Sequence, residues 1–334
     1  MSGAERTYSV LPWSGASPFS SLALAVRNCF PTEAMDSEKL AVQILWDQNW
    51  EPDGTFVLRE HIEGKEGRLG DGAVRGFCVA IHRKIPMPHV PMDTDRGYIT
   101  LFGVDERLRR QGYGTRLLAE AEAYLKVEGA KKVLIAPYAP NYFWPGVDVE
   151  RYTEAVAFLL SRGYTEHSRP LAMQTQLDKV RRPEWLRQKV AALKADKDKS
   201  VVIREYSPDL VPFIHEFMVE DFPGDWERWV RDAAIDIHAG RAKTDRLLFA
   251  WDNETNSVVG FCHYNNERFG PVGTSPRVRG RGIGAWLTFE TLERMRISGK
   301  QVAWFLWTDD KTALLYKEAG FVEWRRFVIM QKDL

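Results

Sequence analysis

Two stretches of the 334-residue chain share one spacing, Arg-x-x-Gly-x-Gly. They are Arg109-Arg110-Gln111-Gly112-Tyr113-Gly114 and Arg279-Gly280-Arg281-Gly282-Ile283-Gly284, about one domain length apart. Each follows a β-type run and opens an amphipathic helical pattern. A strand that turns through glycines into a helix aims several backbone N–H groups at one point. The positive end of the helix adds partial charge there, so a phosphate is the natural occupant. Glycine supplies the positive φ angles and lets a diphosphate approach the main chain closely. Arg277, Arg279 and Arg281 thicken the positive field and could grip phosphate through paired hydrogen bonds. A competing chemistry is a nicotinamide or flavin dinucleotide site, because Gly280, Gly282 and Ala285 fit Gly-x-Gly-x-x-Ala, with Asp309 beyond the next strand. Two features weigh against it. Ser275 to Arg279 separate the strand from the first glycine, and the first copy has Arg116-Leu117 where a third small residue is needed.

The elements that position these loops recur in order. The strand runs are Tyr98–Val104 and Arg268–Thr274, and the helices carry Leu117, Leu118, Ala121 and Leu125, or Leu287, Phe289, Leu292 and Met295. Strands are then expected over Lys132–Ala136 and Gln301–Leu306. Short helices follow, closing at Gly163-Tyr164 and Gly320-Phe321, where glycine suits the left-handed residue past a helix end. Last strands follow at Ala172–Gln176 and Phe327–Gln331. The spacing therefore predicts a duplicated α/β (α+β) domain over 1–177 and 201–334, with 178–200 as a helical linker. Pro183 suits the start of the linker helix, and Leu186, Val190 and Leu193 form one apolar stripe. Asp178 to Ser200 holds eight basic and four acidic residues, and its positive charge reads as a solvated face.

Composition narrows the class. The 46 basic and 46 acidic side chains cancel, which argues against a nucleic-acid partner, and a 44% hydrophobic content is that of an ordinary globular chain. No apolar run is long enough to span a membrane, and Met1 to Arg6 lacks a secretory profile. Three scattered cysteines, Cys29, Cys78 and Cys262, read as reduced thiols in a cytoplasmic protein, and no metal is expected.

With Arg-x-x-Gly-x-Gly after a strand, and Tyr316-x-x-x-Gly320-Phe321 downstream, the second half resembles the GNAT acetyltransferase superfamily; the first half resembles it more loosely. The resemblance implies two tandem domains, each a mixed, mostly antiparallel sheet flanked by helices, whose fourth and fifth strands part to form a cleft. It implies acetyl-CoA as co-substrate. The diphosphate would sit on Arg279, Gly280, Arg281, Gly282, Ile283, Gly284 and Ala285, and the pantetheine arm along Val272, Gly273 and Thr274. A second cofactor site would use Val104, Arg109, Gln111, Gly112, Gly114 and Thr115. The family's general acid falls on Tyr316, whereas the first half has Leu159 there, which cannot donate a proton. The second half is thus expected to be catalytic and the first degenerate, with the aromatic insert Tyr138–Asp148 reshaping its cleft. For the general base, Glu267 lies near the position where relatives carry a carboxylate. Asp309 and Asp310 follow the fifth strand, and His263 reads as a satisfied strand histidine.

Relatives line the acceptor mouth with the connection that is Glu220–Trp229 here. Asp221, Asp225 and Trp226 could meet an ammonium there by charge pairing and cation–π contact, while Asp225 also suits a helix N-cap. Trp304, on the strand bordering the cleft, and Asp309 complete the expected acceptor set. Seven of the 12 tryptophans fall in the second half, and aromatic platforms favour sugar rings. The chain is similar in this to bacterial glucosamine N-acetyltransferases, which implies a small primary amine, an amino sugar foremost, as acceptor. Peptide or antibiotic N-acetylation and non-catalytic acyl-CoA binding are the alternatives.

Overall fold

The computed structural model describes residues 6–13, 18–62, 72–196, 198 and 200–334. The chain forms two compact units: residues 1–86, 92–169 and 327–334, and residues 87–91 and 170–326.

The first unit contains β1 (Arg6–Pro12), α1 (Phe19–Cys29), α2 (Ser37–Ile44), β2 (Thr55–Ile62), β3 (Val74–His82), β4 (Arg96–Val104), α3 (Tyr113–Val127), β5 (Lys132–Ile135), β6 (Val147–Asp148), α4 (Thr153–Ser161) and β7 (Thr165–Ser168). Strands β1 to β4 pair antiparallel in sequence order, and β5 lies parallel to β4 from Arg96↔Lys132 to Ile99↔Ile135. The period-2 alternation of β3 separates two cores. Cys78 and Ala80 meet the predicted α3 stripe, Leu117, Leu118, Ala121 and Leu125. Phe77 and Val79 meet Leu22, Val26 and Leu40 from α1 and α2.

The second unit contains β8 (Leu171–Gln176), α5 (Glu184–Lys194), β9 (Val201–Glu205), α6 (Val211–Asp221), α7 (Asp225–His238), β10 (Leu247–Asp252), β11 (Ser257–Asn265), β12 (Arg268–Thr274), α8 (Ile283–Ile297), β13 (Val302–Thr308) and α9 (Asp310–Glu318). Strands β9 to β12 pair antiparallel. On β11, Phe261 packs with Phe217, Met218 and Val230 of α6 and α7, whereas Cys262 packs with Leu287, Leu292 and Tyr316 of α8 and α9. The predicted linker helix forms as α5, and Leu186 and Val190 are buried in the α8 core.

The compact units differ from the sequence halves at their closing strands. β8, the last strand of the first half, lies in the second unit, where it pairs antiparallel with β13. In β14 (Val322–Asp333), the first five residues belong to the second unit and the remainder to the first, where they pair with β5. An unpaired strand edge needs backbone partners, and these strands supply them. Met87–Pro91 likewise joins the second unit. No helix among the described residues is long and apolar enough to cross a membrane.

Candidate active site

In the second unit β12 and β13 run parallel but share a single register pair, Arg268↔Trp304. The strands then part, which frees one edge of β12 over the stretch containing Val272, Gly273 and Thr274. The expected opening of the fourth and fifth strands is present.

Beyond β12 a one-turn 3-10 helix, Pro276–Val278, is fixed by Ser275, whose hydroxyl accepts the Arg277 N–H at 3.3 Å, and by buried Val278. Gly280 and Gly282 then adopt φ of 83° and 88°. The first main-chain bond of α8 runs from the Trp286 N–H to the Gly282 carbonyl at 2.9 Å. The N–H groups of Ile283, Gly284 and Ala285, at the positive end of a 15-residue helix, therefore have no main-chain acceptor among the described residues. Gly284 faces Thr274, whose Cγ2 lies 3.5 Å from where a Cβ would stand.

The arginines do not all face this cradle. Arg277 pairs with Glu220 at 3.1 Å and approaches Asp221 at 3.7 Å, while Arg281 pairs at 3.1 Å with Asp252, a buried carboxylate on β10. Arg277 and Arg281 thus carry carboxylate partners at the loop expected to hold a phosphate. Arg279 alone of the three is exposed with no ion pair among the described residues. A cation that sequence reasoning assigned to the solvated face reaches the loop instead: Lys189 Nζ on α5 donates to the Gly280 carbonyl at 2.9 Å. Its alternation with buried Val190 gave no sign of that contact.

Tyr316 on α9 is buried among Phe305, Phe321 and Phe269, with ring centroids 4.6, 5.8 and 6.1 Å away. These rings come from β12, β13 and the α9–β14 turn, so the phenol sits where the two strands part. Burial pushes its acidity down, and the nearby Cys262 and Asp309 add to this, so the hydroxyl stays protonated well beyond neutral pH.

The other predicted residues divide between the two ends of β12. Phe222, after α6, packs so closely on Gly273 that a Cβ there would stand 2.7 Å from its ring. Trp226, 40% exposed, stacks on Phe222 at 5.4 Å and 22°. Asp225 is the first residue of α7 rather than its N-cap, which is Gly224, and pairs with Arg228 at 2.7 Å. Burial raises the Asp225 pKa against that pairing. Glu267 occupies the exposed turn between β11 and β12, where its carbonyl accepts the Trp304 N–H at 2.9 Å. Trp304 is half-buried on β13. Asp309 caps α9, accepting from the Thr312 N–H at 2.8 Å and hydroxyl at 3.0 Å, and these bonds lower its pKa.

His263 differs from the satisfied strand histidine expected. It is 2% exposed, lies 6.0 Å from the Trp229 ring, and neither ring nitrogen meets a hydrogen-bond partner among the described residues. Burial pushes its pKa down to about 4, with Arg246 and Arg268 adding to the effect and the Gly270 main chain opposing it.

The Met87–Pro91 segment, which sequence reasoning missed, clasps the α6–α7 connection. The Gly224 N–H donates to the Pro88 carbonyl at 2.9 Å, and His89 Nδ1 lies 2.8 Å from Glu227. His89, His215, Glu216 and Glu220 help line an open hollow of about 590 Å³ along α6.

The first unit repeats the loop with different surroundings. Arg110 and Gly112 take φ of 62° and 85°, matching Gly280 and Gly282, and the N–H groups of Tyr113, Gly114 and Thr115 precede the first helical bond, Arg116 to Gly112. Arg109 Nε donates to the Val104 carbonyl at 3.3 Å, and the Gln111 amide donates to the Arg107 carbonyl at 3.1 Å. Phe102 on β4 and Phe158 on α4 stack at 5.7 Å and stand within 4 Å of a Cβ at Gly114. Leu159 is buried core. In the insert, Tyr138 is fully buried on the sheet and donates to Asp47 at 2.8 Å.

Among curated proteins, no sequence matches this chain. Among solved structures, the chain is similar to the glucosamine N-acetyltransferase region of a fungal multi-domain GH3 β-N-acetylglucosaminidase, with a TM-score of 0.75 at 16% identity. That likeness covers 98% of this chain but only 38% of the fungal one, so the chain spans well under half of it. A GCN5-related N-acetyltransferase from Sphaerobacter thermophilus gives 0.67 at 18% identity, over 98% of this chain and 95% of the other. A tandem GNAT protein from the clavulanic acid biosynthesis pathway gives 0.58 at 13%, over 98% of both chains. At such identities the likeness is one of fold. Residues 23–142 and 211–321 each match the acetyltransferase (GNAT) family, and the chain belongs to that family of enzymes.

Proposed function

We propose that the second unit transfers an acetyl group from acetyl-CoA to the primary amine of a small molecule, an amino sugar foremost. The carrying observation is a helix N-terminus with left-handed glycines at one end of the freed β12 edge, with a buried phenol where β12 and β13 part. The N–H groups of 283–285, left-handed Gly280 and Gly282, and Arg279, which has no ion pair among the described residues, fit the diphosphate. The main-chain edge at Val272–Thr274 suits a pantetheine amide much as an added strand would.

The transfer forms a carbon–nitrogen bond at the thioester carbonyl and breaks the carbon–sulfur bond. The amine loses a proton, and Tyr316 gives its hydroxyl proton to the departing thiolate, to be reprotonated from solvent. Glu267 and Asp225 are the carboxylates proposed to receive the amine proton, directly or through water. Exposed Trp226, with Asp221, Asp225, Trp304 and Asp309, is proposed to frame the acceptor.

In the first unit the paired rings at Gly114 and the apolar Leu159 support a non-catalytic role. Any coenzyme A at Val104–Thr115 would have to displace Phe158. Tyr316's packing among three phenylalanines supports a second reading, in which it is core alone and the chain binds acyl-CoA without turnover. Free thiol release from acetyl-CoA over an amine panel that includes glucosamine separates these readings. Amine-dependent release is expected, whereas coenzyme A binding with no release for any amine would favour the second.

A further inference from the structure

We infer that Lys189, on the helix joining the two halves of the sequence, is a phosphate ligand of the coenzyme A site. This rests on the proposed cradle at 279–285. Leu186 and Val190 bury one face of α5 in the same core as α8, which fixes Lys189 beside the loop. Its stem crosses Gly282 so closely that a Cβ there would stand 2.9 Å from Lys189 Cδ, whereas a Cβ at the equivalent Gly112 would meet nothing within 4 Å. Among the differences between the duplicated loops, the second is crossed at its glycine by a lysine stem, and the equivalent glycine of the first is not crossed by any described residue.

The ammonium reaches past Gly282 to the Gly280 carbonyl, which occupies one of its three donors. Glu220, Asp221 and Asp252 hold Arg277 and Arg281. Lys189 and Arg279 are thus the cations of this loop without a carboxylate partner among the described residues. A neutral carbonyl is a weak partner for an ammonium beside an anion site, and a phosphate oxygen within reach of the same stem is a stronger one. The geometry assigns Lys189 to the diphosphate or the 3′-phosphate of coenzyme A, and the linker helix to the cofactor site.

The test is calorimetric titration of the full chain with coenzyme A and with dephospho-coenzyme A, at low and high salt. Lys189→Met keeps the stem over Gly282 and removes the charge. It is expected to weaken coenzyme A binding roughly tenfold, the scale of one charge-assisted hydrogen bond. It should also flatten the salt dependence of the dissociation constant, a change that a packing defect alone would not produce. Lys189→Arg should restore most of the affinity, and ligand-free melting should not change. A loss that persists with dephospho-coenzyme A places the ammonium on the diphosphate; one that vanishes places it on the 3′-phosphate. Equal affinity and equal salt slope for wild type and Lys189→Met would overturn the assignment of Lys189 alone. Failure of the wild type to bind coenzyme A would overturn the cradle, and the inference with it.

Discussion

Tyr316→Phe removes one oxygen and leaves the ring. The three phenylalanine contacts at 4.6 to 6.1 Å are retained, and no hydrogen bond ties the hydroxyl to another described residue, so the change orphans no partner. Stability should therefore move by less than about 1 kcal/mol, because the usual cost of an unpaired polar group does not arise. Turnover should fall by about 10²–10⁴, the scale of a positioned general acid, with KM for acetyl-CoA little changed. Because burial keeps the phenol protonated well above neutral pH, Tyr316 should produce no alkaline fall in the wild-type kcat profile below about pH 10. Tyr316→Ala, by contrast, opens a cavity among the rings and should cost about 3–5 kcal/mol. Thiol release can be followed with a thiol reagent against low background, since Cys29, Cys78 and Cys262 are all buried. An unchanged kcat in a folded Tyr316→Phe protein would refute the acid role.

Arg279→Met should weaken coenzyme A binding roughly tenfold with no loss of stability, whereas Arg281→Met should lower stability by about 1–3 kcal/mol by stranding the buried Asp252 carboxylate; titration calorimetry and denaturant melts separate the two. Arg109→Met should leave turnover unaltered in the thiol-release assay, and a large loss there would move the chemistry to the first unit. His263 has a folded pKa depressed to about 4 from an ordinary value near 6.5, so the unfolded chain binds its proton more readily. Its contribution to stability is full above about pH 6.5 and is lost as pH falls toward 4. In denaturant melts, His263→Leu should flatten that acid slope relative to wild type, and identical slopes would contradict the buried neutral imidazole.

The parting of β12 from β13 is implied by the family resemblance, whereas the duplicated loop, the α3 stripe and the α5 stripe at Leu186 and Val190 could be read from residue types and spacing. Each depends on local periodicity or turn chemistry. The partners of the loop arginines could not, since Asp252 and Glu220 lie in other elements and meet them only once β10 and α6 pack. For the same reason Lys189 read as a solvated face. The transfer of β8 to the second unit follows from which strand edge is unpaired, a property of the assembled sheet. Met87–Pro91 carries no periodic signal that ties it to Gly224. The satisfaction of His263 depends on groups from several elements at once.

The most direct test is a crystal structure of the full chain with a non-hydrolysable acetyl-CoA analogue. The proposed mechanism predicts its diphosphate on the N–H groups of Ile283, Gly284 and Ala285, and the atom replacing the thioester sulfur within hydrogen-bond distance of the Tyr316 hydroxyl. Occupancy confined to the Arg109–Thr115 loop, or a Tyr316 hydroxyl still enclosed by its rings and out of reach of that atom, would contradict it.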